Sequence, residues 1–242
     1  MKRKGEFFTY MKAFLWAAIF LFVLSSCSTG YKIEGSSSVL RLDGKMLFVK
    51  IPQGTQMVKI DSAEVIHGMF SMEGIVDSIV IASLYMDDES IMPFVVEDGD
   101  IRIQIDNAHI TVSGTPLNDK LYHFVKEKSI LEDRAYEVER MESRMIMDGK
   151  SEEEIRQEVE KEREKLSVEL DELVKTFIQD NYDNVLGPGV FIMLCNGFPY
   201  PMLTPVIEEI VNGAPEGFRN DVMVKEYMEA ARANMERLQS SM

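Results

Sequence analysis

The sequence predicts an α+β fold, with an antiparallel β-sandwich or open barrel first and an all-helical half containing a long αα-hairpin after it. Two rhythms carry that prediction. Between Tyr31 and about Thr115 apolar residues recur with period two, in short runs separated by turn residues. Beyond Thr115 they recur at spacings of three, four and seven, the rhythm of one helix face. A third observation sets strand direction. No helical stretch interrupts the β segment to supply a parallel crossover, so the strands are expected to pair antiparallel.

The chain opens on a different kind of segment. Lys2, Arg3, Lys4 and Lys12 precede an apolar run from Ala13 to Leu24, and Ser25-Ser26-Cys27 follows. A basic start, a short apolar stretch and small residues before a cut are the marks of a secretory signal. A transmembrane helix needs about 20 apolar residues; this run is shorter and ends in S-S-C-S-T-G. The segment L-S-S-C, Leu24 to Cys27, resembles the bacterial lipobox. The resemblance implies cleavage before Cys27, diacylglycerol on its sulfur and acylation of the new amino group, and more than one acyl chain anchors stably. Met11-Lys12 alone would serve as the basic start, so translation begins at Met1 or Met11. Residues 28–31, S-T-G-Y, hold no acidic cluster of the kind associated with surface export in some Bacteroidetes lipoproteins. An outer-membrane lipoprotein facing the periplasm is therefore expected.

The β segment follows. Leu47, Val49 and Ile51 alternate with Met46, Phe48 and Lys50; Ile101, Ile103 and Ile105 alternate with Arg102, Gln104 and Asp106. Each is a strand with one wet face. Further runs are 58–66, 70–72, 79–85, 91–96 and 110–112. Asp43-Gly44, Gln53-Gly54, His67-Gly68, Asp87-Asp88 and 97–100 punctuate them.

The helical half begins with Leu117, Leu121, Phe124, Leu131, Ala135, Val138 and Met145 on one face. Asp148-Gly149-Lys150 breaks it. Ser151 with Glu154 three residues on is a capping box, and a second helix runs to about Tyr182. Glu152–Arg156 and Asp171–Lys175 are expected surface pairs. The charged run 152–165 reads as the solvated side of the hairpin. Shorter helices follow near 189–195, 204–211 and 221–238. The expected division is a signal peptide at 1–26, a β-sandwich-like domain at 27–115 and a helical region at 116–242, with the hairpin at 117–182 and the shorter helices at 189–238.

Composition excludes one class of partner. The net charge is −15, and residues 1–26 carry four basic side chains against one acidic, so the remainder carries −18. Such a body repels phosphate backbones, which bind through neutralising Lys and Arg, and nucleic acid is not an expected partner. The cysteines are Cys27 and Cys195. With Cys27 lipidated, no internal disulfide can form and the core must supply stability.

Ile60 to Gly74 (I-D-S-A-E-V-I-H-G-M-F-S-M-E-G) and Val112 to Leu121 (V-S-G-T-P-L-N-D-K-L) resemble a domain of unknown function common in Bacteroidetes lipoproteins. In that family the domain usually precedes a thioredoxin-like, thiol-disulfide oxidoreductase domain. Phe177 to Gly187 (F-I-Q-D-N-Y-D-N-V-L-G) and Ala214 to Phe218 (A-P-E-G-F) are similar to the stretch just before that domain. Here the sequence ends at Met242, where the thioredoxin domain would begin, and holds no Cys-x-x-Cys. The redox activity of the longer members does not carry over.

The chemically capable side chains each have a plainer reading. Cys195 lies in F-I-M-L-C-N-G, where a lone cysteine is ordinarily a small buried hydrophobe. His67 precedes Gly68 in a turn, His109 is placed in a strand and His123 on the first long helix; such scatter lacks metal-ligand spacing. Asp87-Asp88-Glu89 lacks the alternating ligands of a calcium loop and reads as a solvated turn. Met141, Met145 and Met147 read as packing at the hairpin tip, or as an adaptable binding surface. No Gly-rich phosphate loop or nucleophile elbow is present. The expectation is a lipid-anchored interaction module, attached at Cys27, without catalytic residues, metal or cofactor and with an unnamed protein partner. The alternatives are an accessory that docks a separate thioredoxin-like oxidoreductase and a hydrolase using carboxylates.

Overall fold

The computed structural model describes residues 30–54, 56–75 and 77–240. The expected signal segment and Cys27 lie outside the described residues. The alternating runs become eight strands: β1 (Gly30–Ser37), β2 (Met46–Gln53), β3 (Gln56–Glu64), β4 (Met69–Ile75), β5 (Val80–Met86), β6 (Glu89–Val96), β7 (Gly99–Ile105) and β8 (Ile110–Ser113). They form two four-stranded sheets, ordered β4-β1-β7-β8 and β3-β2-β5-β6. Leu47, Val49, Leu84 and Phe94 of one sheet bury against Ile33, Met72, Ile101 and Ile103 of the other in a single core. The fold is α+β, and its β part is a two-sheet sandwich without barrel closure.

One pairing departs from expectation. β1 and β7 lie side by side and parallel, with Ile33 opposite Ile101. The chain reaches this arrangement without a crossover helix because it passes through the other sheet and back between the two strands. All other strand neighbours are antiparallel.

The helical half comprises α1 (Pro116–Met147), α2 (Glu152–Gln179), α3 (Leu186–Cys195), α4 (Pro205–Gly213), α5 (Glu216–Arg219) and α6 (Val222–Ser240). The break at Asp148–Ser151 produces the hairpin, and the capping box is formed in both directions: the Glu154 amide donates to Ser151 Oγ, and the Ser151 amide donates to the Glu154 carboxylate at 3.0 Å. The surface pairs differ from those expected. Arg156 pairs with Glu153, and Lys175 with Glu172 and with Glu209 of α4. Positions three and four apart are both neighbours on a helix, and contact with α4 draws Lys175 away from Asp171.

A second core joins the helices to the sandwich. Val95, on the outer face of edge strand β6, packs with Leu121, Ile178, Leu186 and Phe191. Phe124 stacks on Phe177 with centroids 4.3 Å apart. Asn118 fastens this joint. Fully buried, it accepts a hydrogen bond from the Val95 amide at 2.8 Å and donates to the Val95 carbonyl at 2.7 Å and to Thr115 Oγ1 at 2.8 Å. The buried Glu97 carboxylate accepts from the Leu117 and Asn118 amides, so it caps the start of α1. At Gly114, φ is +100° and a Cβ would sit 2.3 Å from the Asp100 carbonyl oxygen, so only glycine fits the bend into the helix.

These contacts also give α1 its heading. Asn118 lies at Val95, and one turn later Tyr122 donates to the Pro93 carbonyl at 3.0 Å. The helix therefore runs from the end of the sandwich where β1 starts toward the opposite end. With 32 residues at about 1.5 Å each it is about 48 Å long, against about 26 Å for an eight-residue strand. The hairpin thus overshoots the far end. There its seam is thin: Val138, Val159 and Leu166 are buried, flanked by Leu131, Met141 and Ile155. Arg134–Glu169 and Arg163–Glu142 bridge the two arms.

Candidate functional site

The sandwich gapes at the end where β1 begins. A cleft of about 350 Å³ lies there between the sheets, with Tyr31 and Ile75 on one wall and Ile60, Asp61 and Val80 on the other. The Tyr31 hydroxyl donates across it to Asp61 Oδ2 at 2.8 Å, and Asp61 Oδ1 accepts from the Ser62 amide at 2.7 Å. Tyr31 belongs to β1 and Asp61 to β3, so the bond clasps one sheet to the other. Burial, the bond to Asp61 and its negative charge push the Tyr31 phenol well above its ordinary range. It stays a donor at any physiological pH. The ring has room because a Cβ on Gly74 would come within 2.7 Å of the Tyr31 hydroxyl.

A β-bulge aims the other wall. Val49 faces Asp61 and Lys50 faces Lys59, which leaves Ile60 opposite no residue. Consecutive strand residues normally point to opposite faces; the extra residue bends the strand, and both Ile60 and Asp61 line the cleft. Glu73 and Asp77 add two more carboxylates to its lining. The opening thus combines isoleucine side chains with acidic groups, which suits an apolar contact without negative charge. Both groups of the Tyr31–Asp61 pair are engaged, and their bond ties one sheet to the other.

None of these residues stands out in the sequence. Tyr31 and Asp61 are separated by 30 positions, and only the fold unites them. The available signal was the Ile60–Gly74 segment. Its Asp61 accepts from Tyr31, its Phe70 ring covers Gly35 of the paired strand, its Met72 is buried and its Gly74 leaves space for Tyr31. The segment's pattern is thus structural.

Residues 31–121 match the model of a domain of unknown function, DUF4369. This stretch carries that domain. The match runs past the last strand into α1, so the DUF4369 region takes in Thr115, Asn118 and Leu121, the side chains that seal β6. The Val112–Leu121 segment is therefore the domain's own lid, not the start of something appended. No curated protein matches the chain.

The residues weighed from sequence fall elsewhere. Cys27 is outside the described residues. Cys195 is a buried free thiol at the end of α3, far along the chain from the DUF4369 region. Burial pushes its thiol up to about 12, against a smaller opposing pull from Tyr227. His67, with φ 52°, shapes the turn between β3 and β4. His109 sits in the turn before β8 rather than in a strand; its amide donates to Asp106 at 2.6 Å, and that Asx turn ends the ladder. His123 is exposed on α1. Asp87 and Asp88 form the exposed two-residue turn between β5 and β6, Asp87 at φ 54°. Met141 packs on the hairpin seam, Met145 is half-buried and Met147 is exposed. Among the described residues no group of three or more His, Cys, Asp or Glu side chains is placed to hold a metal ion. Nor is any described helix long and apolar enough to cross a membrane.

Proposed function

We propose that this chain is a lipid-anchored module of the cell envelope, attached through Cys27 and facing the periplasm, that binds another protein and performs no catalysis of its own. The observation that carries the reading is the apolar run ending in L-S-S-C, three residues before the first strand. The fold supports it. Two sheets closed by a buried Asn118 and Glu97 make a rigid base, and a long hairpin of mixed charge projects from it with Ile146 and Met147 exposed near its tip. Rigid scaffolds with a projecting, partly apolar element are a common way to present a contact surface. The Tyr31 phenol and the Cys195 thiol, both held protonated by burial, support a role in binding.

The test of the anchor is replacement of Cys27 by Ala in cells fed radioactive palmitate. The wild-type chain is expected to take up label and lose residues 1–26; the variant is expected to do neither. Label persisting in the variant would end the reading. A second reading follows from the DUF4369 match and the resemblance of this domain's usual setting: the module docks a separate thioredoxin-like protein. Insulin-disulfide reduction by residues 28–242 beside a Cys195→Ser variant separates docking from catalysis. Turnover that vanishes in the variant would make the chain itself the catalyst.

A further inference from the structure

The open end of the sandwich carries isoleucines that the fold does not cover. Ile75 is 77% exposed, Ile79 48% and Ile60 39%. Ile75 and Ile60 stand on opposite walls of the cleft mouth, and Ile79 lies beside its lining residues Ser78 and Val80. An aliphatic side chain at a strand end can ordinarily turn into the core; the bulge at Ile60 and the end of β4 at Ile75 leave these two at the mouth of the cleft, partly exposed.

The covalent chain says what faces them. Ile75 is the register partner of Gly30, and Gly30 is three residues from Cys27. Three residues span at most about 11 Å even when fully extended. Resting on the proposed lipidation of Cys27, we infer that this end of the sandwich lies on the bilayer, with Ile75, Ile79 and Ile60 entering the interfacial region as an apolar foot. The surface chemistry is also specified. Asp61, Glu73 and Asp77 line the same mouth, and Asp98 accepts the Gly30 amide at 2.7 Å beside it. Carboxylates this close to an anionic headgroup layer repel it within a Debye length, so the foot fits a zwitterionic phospholipid surface. Because α1 leaves from this end and runs the other way, the same placement aims the hairpin tip away from the membrane.

The experiment uses the processed chain, residues 27–242, with the Cys27 thiol coupled to a maleimide phospholipid in phosphatidylcholine vesicles; buried Cys195 does not compete. Trp16 is the sole tryptophan and is absent from this chain, so each introduced tryptophan reports alone. Ile75→Trp and, as a second variant, Ile79→Trp are expected to show blue-shifted emission that lipids brominated on the acyl chain largely quench. Met69→Trp at the far end of the sandwich and Met147→Trp at the hairpin tip are expected to keep their emission. Emission unquenched at both 75 and 79, or quenched at 69 or 147 instead, would overturn the orientation. Quenching equal or stronger on phosphatidylglycerol vesicles would overturn the zwitterionic assignment. Because the tether is chemical, a failure here is distinct from failure of the palmitate labelling that tests the natural anchor.

Discussion

Replacing Asn118 by Ala removes the side chain that finishes the edge of β6. The Val95 amide and carbonyl, bonded to it at 2.8 and 2.7 Å, would then be buried beneath α1 without partners. Each unsatisfied buried backbone group costs about 1–3 kcal/mol. Two such groups give a loss of about 3 kcal/mol, in line with other broken buried networks. For a chain of this size each kcal/mol lowers Tm by about 2–4 °C, so a fall of about 6–12 °C is expected. Thermal and urea unfolding followed by circular dichroism would measure it. Asn118→Asp is the informative companion. It retains an acceptor for the Val95 amide but sets a carboxylate against the Val95 carbonyl and near Glu97, 3.5 Å from the present amide. The buried acid has a raised folded pKa, so its penalty should be largest at neutral pH and shrink as the pH falls and the group takes up a proton. A loss below about 1 kcal/mol for Asn118→Ala would refute the claim that this residue completes the sheet edge.

Four further outcomes follow from named contacts. Tyr31→Phe removes the inter-sheet bond to Asp61 and should cost about 1 kcal/mol in urea unfolding with an unchanged m-value. Ser151→Ala breaks the capping box and should cost about 1 kcal/mol, read as faster amide exchange in the first turn of α2. The Cys195 thiol, raised from 9.0 to about 12, should show about a thousandfold less thiolate near pH 8 than an ordinary thiol. Ellman's reagent should therefore react slowly in the native state and promptly in urea. Asp106, Glu154 and Glu169 have carboxyls held below their ordinary 3.8 or 4.5 by the His109 amide, Ser151 and Arg134 respectively. A lowered folded pKa means stability that is complete above the ordinary value and lost as the pH falls through the folded one. The urea midpoint should thus be level above about pH 5 and decline below about pH 4.

What could be read in advance was whatever depends on neighbours in the chain. The strand alternation at Leu47–Ile51 and Ile101–Ile105 follows from one wet and one dry face, and both are realised. The hairpin break was visible because Asp148-Gly149 and the Ser151–Glu154 box are local chemistry. The parallel placement of β1 beside β7 was not visible, since it depends on how the chain passes between sheets. Nor was the cleft, because a bulge that turns Ile60 and Asp61 to one side needs the partner strand β2 to define it. The ion pairs Glu152–Arg156 and Asp171–Lys175 failed for a related reason: spacing allows several partners, so Arg156 takes Glu153 three residues before it, and contact with α4 gives Lys175 to Glu209 as well as Glu172. The buried motif residues were legible as a pattern but not as roles. Asn118, which unites the halves, reads in sequence as an ordinary polar residue in the first turn of a helix.

The bulge in β3 has one more effect. β3 is the outer strand of its sheet, and its free side would offer a neighbouring molecule a ladder to extend. The extra residue at Ile60 twists that ladder, and Lys59 directly before it leans its ammonium over the Phe48 ring of β2 at 5.6 Å, so a positive charge stands on the outer face of this two-strand border. A second sandwich approaching edge-on would meet backbone groups out of step and an ammonium to desolvate. Many copies could then stand side by side at high local density without their sheets fusing.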